Sequence, residues 1–450
     1  MIQHVEADAA SLIARIENVP FSRWHTKARV IVGSATFFDA FSALSLAFAL
    51  PVLIGLWHIT PTQSGMLIGS SYVGQFMGAL LFSSLAEKYG RIRSAAAATG
   101  LMSVMSLGCA IAGNFPALLA CRLVQGIGVG GEMPVAAAYI SELSKAQGRG
   151  RFFLLYELIF PIGLMATGQI GSWVVPTFGW TTIFWIGGLP GLFVTFLLAS
   201  LPESPRWLIS KGRFSEAELI IKQIEGSTAR RVSNVETLSV HLPPVQRSRW
   251  TEVLGRQYRS RTLIVWVLWA TAYFVTNSLN NWLPSLYSTV YHLQLRQSLR
   301  AASMTNVAQV AVLLICVFYI DRIGRKIWTV ASLVTGAAAL LLLGWIGADS
   351  VRNVMVLATL SYGIIGSVNA VLYLYTPEIY PTRMRAIGTG LATCWLRLAS
   401  AVGPLIVGVV VSANGTSSVF LMFSGIAIVG AFAATRMIET RARRLEDIAT

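Results

Sequence analysis

The chain has 450 residues, 54% hydrophobic and only 12% charged, with a formal net charge of +15. A soluble globule has no room for so much apolar surface, and a disordered or nucleic-acid-binding chain would not reach a mean hydropathy of +0.63, so the class that remains is a protein crossing a membrane many times. The positive charge must then be located relative to the bilayer before it is read as attraction to any partner.

Residues 1–29 form a tail carrying Glu6, Asp8, Arg15, Glu17, Arg23, Lys27 and Arg29, too polar for a cleaved signal peptide. A helix needs roughly 20 apolar residues to cross about 30 Å of hydrocarbon. The runs 30–57, 63–86, 94–113, 115–141, 152–175 and 180–201 meet that length and predict a first six-helix bundle over 30–201. The segment 202–260 is polar; within it, Phe214–Ile224 predicts a surface helix with Glu216, Glu218 and Lys222 toward water and Leu219, Ile220 and Ile224 toward the bundle or the lipid head groups. The runs 261–284, 300–320, 328–347, 352–377, 386–411 and 417–436 predict a second bundle over 261–436, followed by a tail at 437–450. The runs are too long and too little alternating for a β-barrel.

Of the 35 Lys and Arg, only Arg296, Arg300 and Arg352 fall on one side of this arrangement, and Arg122 and Arg397 lie inside spans. All the others share the opposite side, which the positive-inside rule makes the cytoplasm, so both termini are expected there and the chain is expected in the cell membrane. Attraction to anionic lipid is a secondary reading of the same charge.

The halves repeat. Glu87, Gly90 and Arg91 have counterparts 234 residues later in Asp321, Gly324 and Arg325. Glu142, which opens the loop containing Arg149, has its counterpart 236 residues later in Glu378, which opens the loop containing Arg383. Parallel six-helix repeats of this kind place a substrate cavity near the midplane between them. The expected fold is therefore an all-α membrane protein of twelve transmembrane helices in two pseudo-symmetric six-helix bundles, with the ten loop residues just named as gating elements.

Ionisable groups inside a span are costly and mark function. Asp39 lies about 14 Å into the first span and Arg122 about 10 Å into the fourth from the other side, close enough in height for a long Arg side chain to reach. Such a pair can alternate between a salt bridge and a protonated Asp with a released Arg; the alternative is a static bridge. Glu132, about 15 Å below Arg122, is placed to line the inner cavity or to pair with a loop Arg. Glu157 is expected in the loop network with Arg149 or Arg151. Arg397, about 16 Å into the eleventh span, has no acid at its depth in the second half. A planar guanidinium at the midplane suits a carboxylate ligand; the alternative is a cross-domain pair with Glu132 or Asp39. Tyr72, Gln75, Tyr273, Asn277, Asn281, Trp282, Gln309, Tyr373 and Trp395 are candidate cavity residues, each also compatible with helix packing or an interfacial belt. Cys109, Cys121, Cys316 and Cys394 sit in apolar runs with no CxxC pair, so neither a metal site nor a disulfide framework is indicated, and no cofactor is expected.

The two acidic-x-x-Gly-Arg loops resemble the major facilitator signature, and the resemblance spans the chain. Arg122 to Glu132, Glu142 with Arg149 and Gly150, PESPRWL at 202–208 and PEIYPTRMR at 377–385 are similar to sugar-porter motifs. Ser83, Glu87 and Val317 depart from the usual Gly, Asp and Gly. In sugar/proton symporters of the superfamily the helix 1 Asp and helix 4 Arg couple protons, which the resemblance implies for Asp39 and Arg122. CWLRLAS at 394–400 resembles helix 11 of organic-anion transporters, where the matching Arg meets the anionic substrate. Aligning Pro284 with the sugar-porter proline puts Thr271 and Ala272 where that group has two hydroxyl-binding glutamines; Asn277 is kept, and Tyr373 stands where a substrate-stacking Trp is found. PFSRWHTKARV and FFDAFSALSLAFALP within 20–51, with GVGGEMPV, look like the nicotinate-transporter branch.

The function expected from all this is proton-coupled symport of a small aromatic or heteroaromatic monocarboxylate, nicotinate foremost, by a monomer whose partners are substrate, proton and lipid and not nucleic acid. The alternatives are a sugar or polyol porter and a non-transporting receptor on the same scaffold. No GxxxxGK[ST] loop suggests a pump, and no triad or metal cluster suggests an enzyme.

Overall fold

The computed structural model describes residues 11–16, 19, 22–143, 158–227, 250–346, 350–381 and 384–441. The long helices of the first half are α1 (Arg23–Trp57), α2 (Pro61–Tyr89), α3 (Arg91–Ile111), α4 (Phe115–Glu142), α5 (Ile159–Phe178) and α6 (Thr181–Ala199). Those of the second are α7 (Arg259–Thr289), α8 (Leu295–Ile323), α9 (Arg325–Ile346), α10 (Val351–Glu378) and the stretch Arg385–Thr435. That stretch breaks at Gly415, whose φ of 77° and ψ of −179° leave the helical region, into α11 (385–414) and α12 (416–435). The described residues thus hold a helix at each of the twelve expected spans, the fifth from Ile159 onward. In lipid every backbone polar group must be satisfied within the segment, which is why these runs are helical throughout. Their outward faces are apolar: Phe193 is 63% exposed, Phe318 74% and Trp345 84%.

The halves pack alike. In the first, α1 lies on α5, α2 on α4 and α3 on α6; in the second, α7 lies on α11, α8 on α10 and α9 on α12. Between halves the main contacts are α2 with α11, α5 with α8 and α1 with α7. The α2–α11 seam is closest where α2 begins. A Cβ on Gly65 would stand 2.7 Å from the Pro404 carbonyl oxygen, and one on Gly408 would stand 2.6 Å from that of Pro61. The seam therefore closes at the end remote from the basic loops.

At the basic end the repeat extends to atoms. Gly90 (φ 112°) and Gly324 (φ 97°) turn the chain into α3 and α9, and each exposes helix N–H groups with no partner inside the helix. Glu203 accepts from Arg91 N at 2.8 Å and Ile92 N at 3.2 Å; Glu439 accepts from Arg325 N and Lys326 N at 3.0 Å each. A carboxylate at a helix N-terminus also complements the helix dipole. Arg91 bonds Glu142 at 3.0 Å and Glu87 at 2.8 Å, while Arg325 bonds Asp321 at 2.8 Å and Glu378 at 3.4 Å. Ser204 donates to Glu142, and Thr440 donates to Glu378 at 2.6 Å. Among the described residues each cluster stays within its own half. Arg149, Arg383 and Glu157 lie outside the described residues. Glu203→Ala and Glu439→Ala are each expected to lower stability by about 0.5–2 kcal/mol, read as a fall in the melting temperature of the detergent-solubilised protein. Equal melting temperatures would show that the two carboxylates do not cap.

The central segment forms Pro205–Ser210 and Phe214–Gly226. On the second helix Ala217, Ile221 and Ile224 are buried, whereas Leu219 is 62% exposed. The buried stripe runs 217–221–224, at helical spacing, with Ile220 packed beside it, and Leu219 projects away from it. Leu12, Ile13 and Ile16 pack on this segment, and Arg15 bonds Glu225 at 2.9 and 2.7 Å. That hydrogen-bonded pair raises the Arg15 guanidinium above its ordinary pKa.

Candidate functional site

A cavity of about 110 Å³ lies between the halves. It is lined from α1, α2, α4 and α5 on one side and from α7, α8, α10 and α11 on the other, four helices of each repeat. Its residues follow helical spacing: Tyr273, Thr276, Asn277, Asn280 and Asn281 form one face of α7, and Tyr362, Gly366, Asn369 and Tyr373 one face of α10. Arg397, Tyr72, Gln75, Tyr273, Asn277, Asn281, Gln309 and Tyr373, singled out from sequence, all line it, as does Asp39.

Two aromatic candidates do not line it. Trp282 is 4% exposed and donates to the Pro404 carbonyl at 3.2 Å, so its ring packs α7 onto α11. Trp395 is 37% exposed and lies against Trp266 with centroids 5.5 Å apart. It is two residues before Arg397, and that step on a helix turns it away from the face Arg397 uses. Trp269 was not among the candidates. It is fully buried, stacks on Tyr273 at 5.5 Å and 5°, and meets Tyr373 edge-on at 4.6 Å and 82°. It braces both cavity tyrosines, and its place four residues before Tyr273 on α7 was the available signal.

The four buried charges are held by different partners. Arg122, 2% exposed, donates through Nη1 to the Ser42 carbonyl at 3.1 Å and to Gln125 Oε1 at 2.6 Å. Among the described residues no hydrogen bond or ion pair joins it to Asp39. A carbonyl one turn along α1 and an amide one turn along α4 take up its donors instead. Asp39, 2% exposed, makes no hydrogen bond through Oδ1. Asp39 lines the cavity together with Arg397. Glu132 is fully buried, does not line the cavity, and accepts from Thr36 Oγ1 on α1 at 3.0 Å.

Arg397 is 9% exposed. Its hydrogen bonds are long ones to carbonyls, Thr393 at 3.3 Å and Gly130 at 3.5 Å, and its Nε has no acceptor. No carboxylate of the described residues forms an ion pair with it. A guanidinium carries five donors in a planar fork, so most of this group's capacity is open toward the cavity.

The amides are largely committed to one another. Asn281 donates to Tyr72 OH at 3.2 Å across the halves, Asn277 to Ser400 Oγ at 2.5 Å, and Asn306 to Asn280 Oδ1 at 3.2 Å. Tyr362 OH donates to Gln309 Oε1 at 2.9 Å, and Asn369 donates to Thr276 Oγ1 at 3.1 Å. No group of His, Cys, Asp and Glu with metal-binding arrangement occurs among the described residues.

Two parallel six-helix repeats closing on a midplane cavity with buried charges define a secondary transporter rather than an enzyme. The chain belongs to the sugar (and other) transporter family of the major facilitator superfamily, whose profile matches residues 20–450. The niacin transporter NiaP of Acinetobacter baylyi is 33% identical over 449 residues, spanning 97% of this chain and 99% of that relative. A putative niacin/nicotinamide transporter NiaP of Bacillus subtilis is 29% identical, spanning 92% of this chain and 96% of that one. The xylose transporter XylE from E. coli, in a partially occluded inward open conformation, superposes with a TM-score of 0.74 at 19% identity, covering 94% of this chain and all of that one.

Proposed function

We propose that this secondary transporter carries a small aromatic or heteroaromatic monocarboxylate, with nicotinate the leading candidate, by proton-coupled symport. The observation that carries the reading is Arg397: a buried guanidinium facing the cavity whose partners are two long carbonyl contacts. A carboxylate satisfies its fork bidentately. The braced rings of Tyr273 and Tyr373 offer a flat surface for a ring, and offset or edge-on aromatic pairs are favourable. The printed names of the two NiaP relatives support the same substrate class. Asp39 is the acid placed to take the coupling proton. Arg397 lines the same cavity as Asp39, and Arg122 reaches the Ser42 carbonyl one turn along α1 from it, so both guanidinium groups are positioned to respond to its change of charge. The distribution of Lys and Arg supports both termini in the cytoplasm, and a monomer in the cell membrane is the working unit.

A sugar or polyol is the second reading, favoured by the amides around the cavity. Those amides already bond to each other and to tyrosine hydroxyls, so binding many sugar hydroxyls would first break existing pairs. Proteoliposomes offered labelled nicotinate, benzoate, nicotinamide and glucose test the choice. Nicotinate and benzoate are expected to accumulate, and to do so more under an inward proton gradient. Accumulation of glucose with neither acid transported would establish the sugar reading.

A further inference from the structure

Asn369 lines the cavity from α10, one turn before Tyr373, and is 8% exposed. A chain of hydrogen bonds fixes which way round its amide lies. Thr276 on α7 gives its one hydroxyl hydrogen to the Ala272 carbonyl at 2.9 Å. That hydroxyl can therefore only accept from Asn369, and Nδ2 donates to it at 3.1 Å. The end left over is Oδ1, which is buried and accepts no hydrogen bond among the described residues. From this orphaned acceptor, and resting on the carboxylate reading above, we infer that the ring of the transported acid carries a hydrogen-bond donor, a hydroxyl, amino or ring N–H group, and that Asn369 is the residue that selects it.

A buried acceptor without a donor costs more than an ordinary hydrogen bond contributes. Donors on the flanking elements are committed elsewhere: Asn277 on α7 to Ser400, Asn306 on α8 to Asn280, and Tyr362 on α10 to Gln309. The open space that Asn369 borders is the cavity. A ligand that fills this space either brings a donor or forfeits the hydrogen bond that water would make there. Depth agrees with a shared ligand. Asn369 is nine residues from the basic-loop end of α10 and Arg397 twelve from that of α11, which puts the two within about 5 Å of one level. Between them the ring has fixed walls. Trp269 lies 5° from the plane of Tyr273 and 82° from that of Tyr373, so the two tyrosines form a nearly square corner. An acid seated there is read at its carboxylate by Arg397, at its ring by the corner and at its substituent by Asn369, with Thr276 positioning the amide. Nicotinate presents an acceptor nitrogen and meets the first two requirements; 6-hydroxynicotinate, in its ring N–H form, meets all three.

The test is equilibrium binding to the purified full-length protein. The ligands are benzoate, 3- and 4-hydroxybenzoate, and 3- and 4-fluorobenzoate, in which fluorine is close to hydroxyl in size and donates nothing. At least one hydroxybenzoate is expected to bind about two- to ten-fold more tightly than benzoate, the range of one neutral hydrogen bond, and its fluoro counterpart is expected to gain nothing. 6-Hydroxynicotinate is expected to exceed nicotinate by a similar factor. In Asn369→Leu the affinities for the hydroxy acid and benzoate are expected to become equal. In Thr276→Val the amide loses its anchor, Nδ2 is free to turn toward the ligand, and the preference is expected to shrink likewise. A residue that merely shaped the cavity would weaken both ligands together and leave their ratio unchanged. Equal wild-type affinities for the hydroxy, fluoro and unsubstituted acids overturn the inference, as does a hydroxyl preference that survives Asn369→Leu. Should that variant fail to fold, the wild-type series and Thr276→Val still decide the matter. If none of the acids binds, the carboxylate reading itself fails, whereas binding without a hydroxyl preference refutes this inference alone.

Discussion

Arg397→Ala is expected to reduce nicotinate uptake to a few per cent of wild type or less while leaving the protein folded and inserted. Arg397 has no ion pair among the described residues, and its two hydrogen bonds are long, so little of the fold depends on it. A charge-assisted hydrogen bond contributes about 1.5–3 kcal/mol, or roughly ten- to 150-fold in affinity, and a bidentate pair lies at the upper end. Arg397→Lys keeps the charge and loses the fork, so it is expected to recover only part of the binding. Uptake normalised to protein recovered in the membrane, with a melting curve of each purified variant, checks this. Equal losses of uptake and of folded protein would make Arg397 a structural residue.

Gly65→Leu is expected to stop turnover by a different route. In this structure the backbones of α2 and α11 meet at Gly65, and even a Cβ there stands 2.7 Å from the Pro404 carbonyl oxygen. Overpacking costs about 1–3 kcal/mol, roughly five- to 150-fold in the population of the state that needs the contact. The variant therefore favours the state open at the end remote from the basic loops, and uptake falls in proportion. Its binding residues are untouched, so nicotinate binding in detergent is expected to persist. A single cysteine introduced as Ala43→Cys, in the cavity lining, is expected to react faster with an impermeant thiol reagent applied from that side. Unchanged labelling together with unchanged uptake would show that the seam does not gate access.

How much of this was legible in sequence depended on whether the signal was local. Span lengths, the repeat at offsets 234 and 236, and the gating loops are written in runs and motifs, and α1 to α12 follow them closely. The capping roles of Glu203 and Glu439 were not legible, because each meets its helix from more than 100 residues away. Depth arithmetic placed Asp39 and Arg122 at similar heights, but it cannot say which way a guanidinium turns. Gln125 and the Ser42 carbonyl lie one turn away and take Arg122, while Arg397 arrives from the other repeat to line the same cavity as Asp39. Helical rotation likewise separated Trp395 from Arg397 and hid Trp269 behind the tyrosines it braces. The same limit applies to the helix Phe214–Gly226, whose buried stripe of Ala217, Ile221 and Ile224 is set by what packs on it rather than by hydrophobicity alone.

The claim on which the rest depends is that Arg397 reads a carboxylate, and the most direct measurement is binding of an acid and its neutral amide to two proteins. Nicotinate and nicotinamide are titrated against wild type and Arg397→Ala in one buffer. The prediction is non-additive: the substitution weakens nicotinate roughly ten- to 150-fold, while nicotinamide binds weakly to both proteins and loses little more. If the substitution weakens acid and amide by the same factor, Arg397 shapes the cavity without reading charge, and the carboxylate account is contradicted.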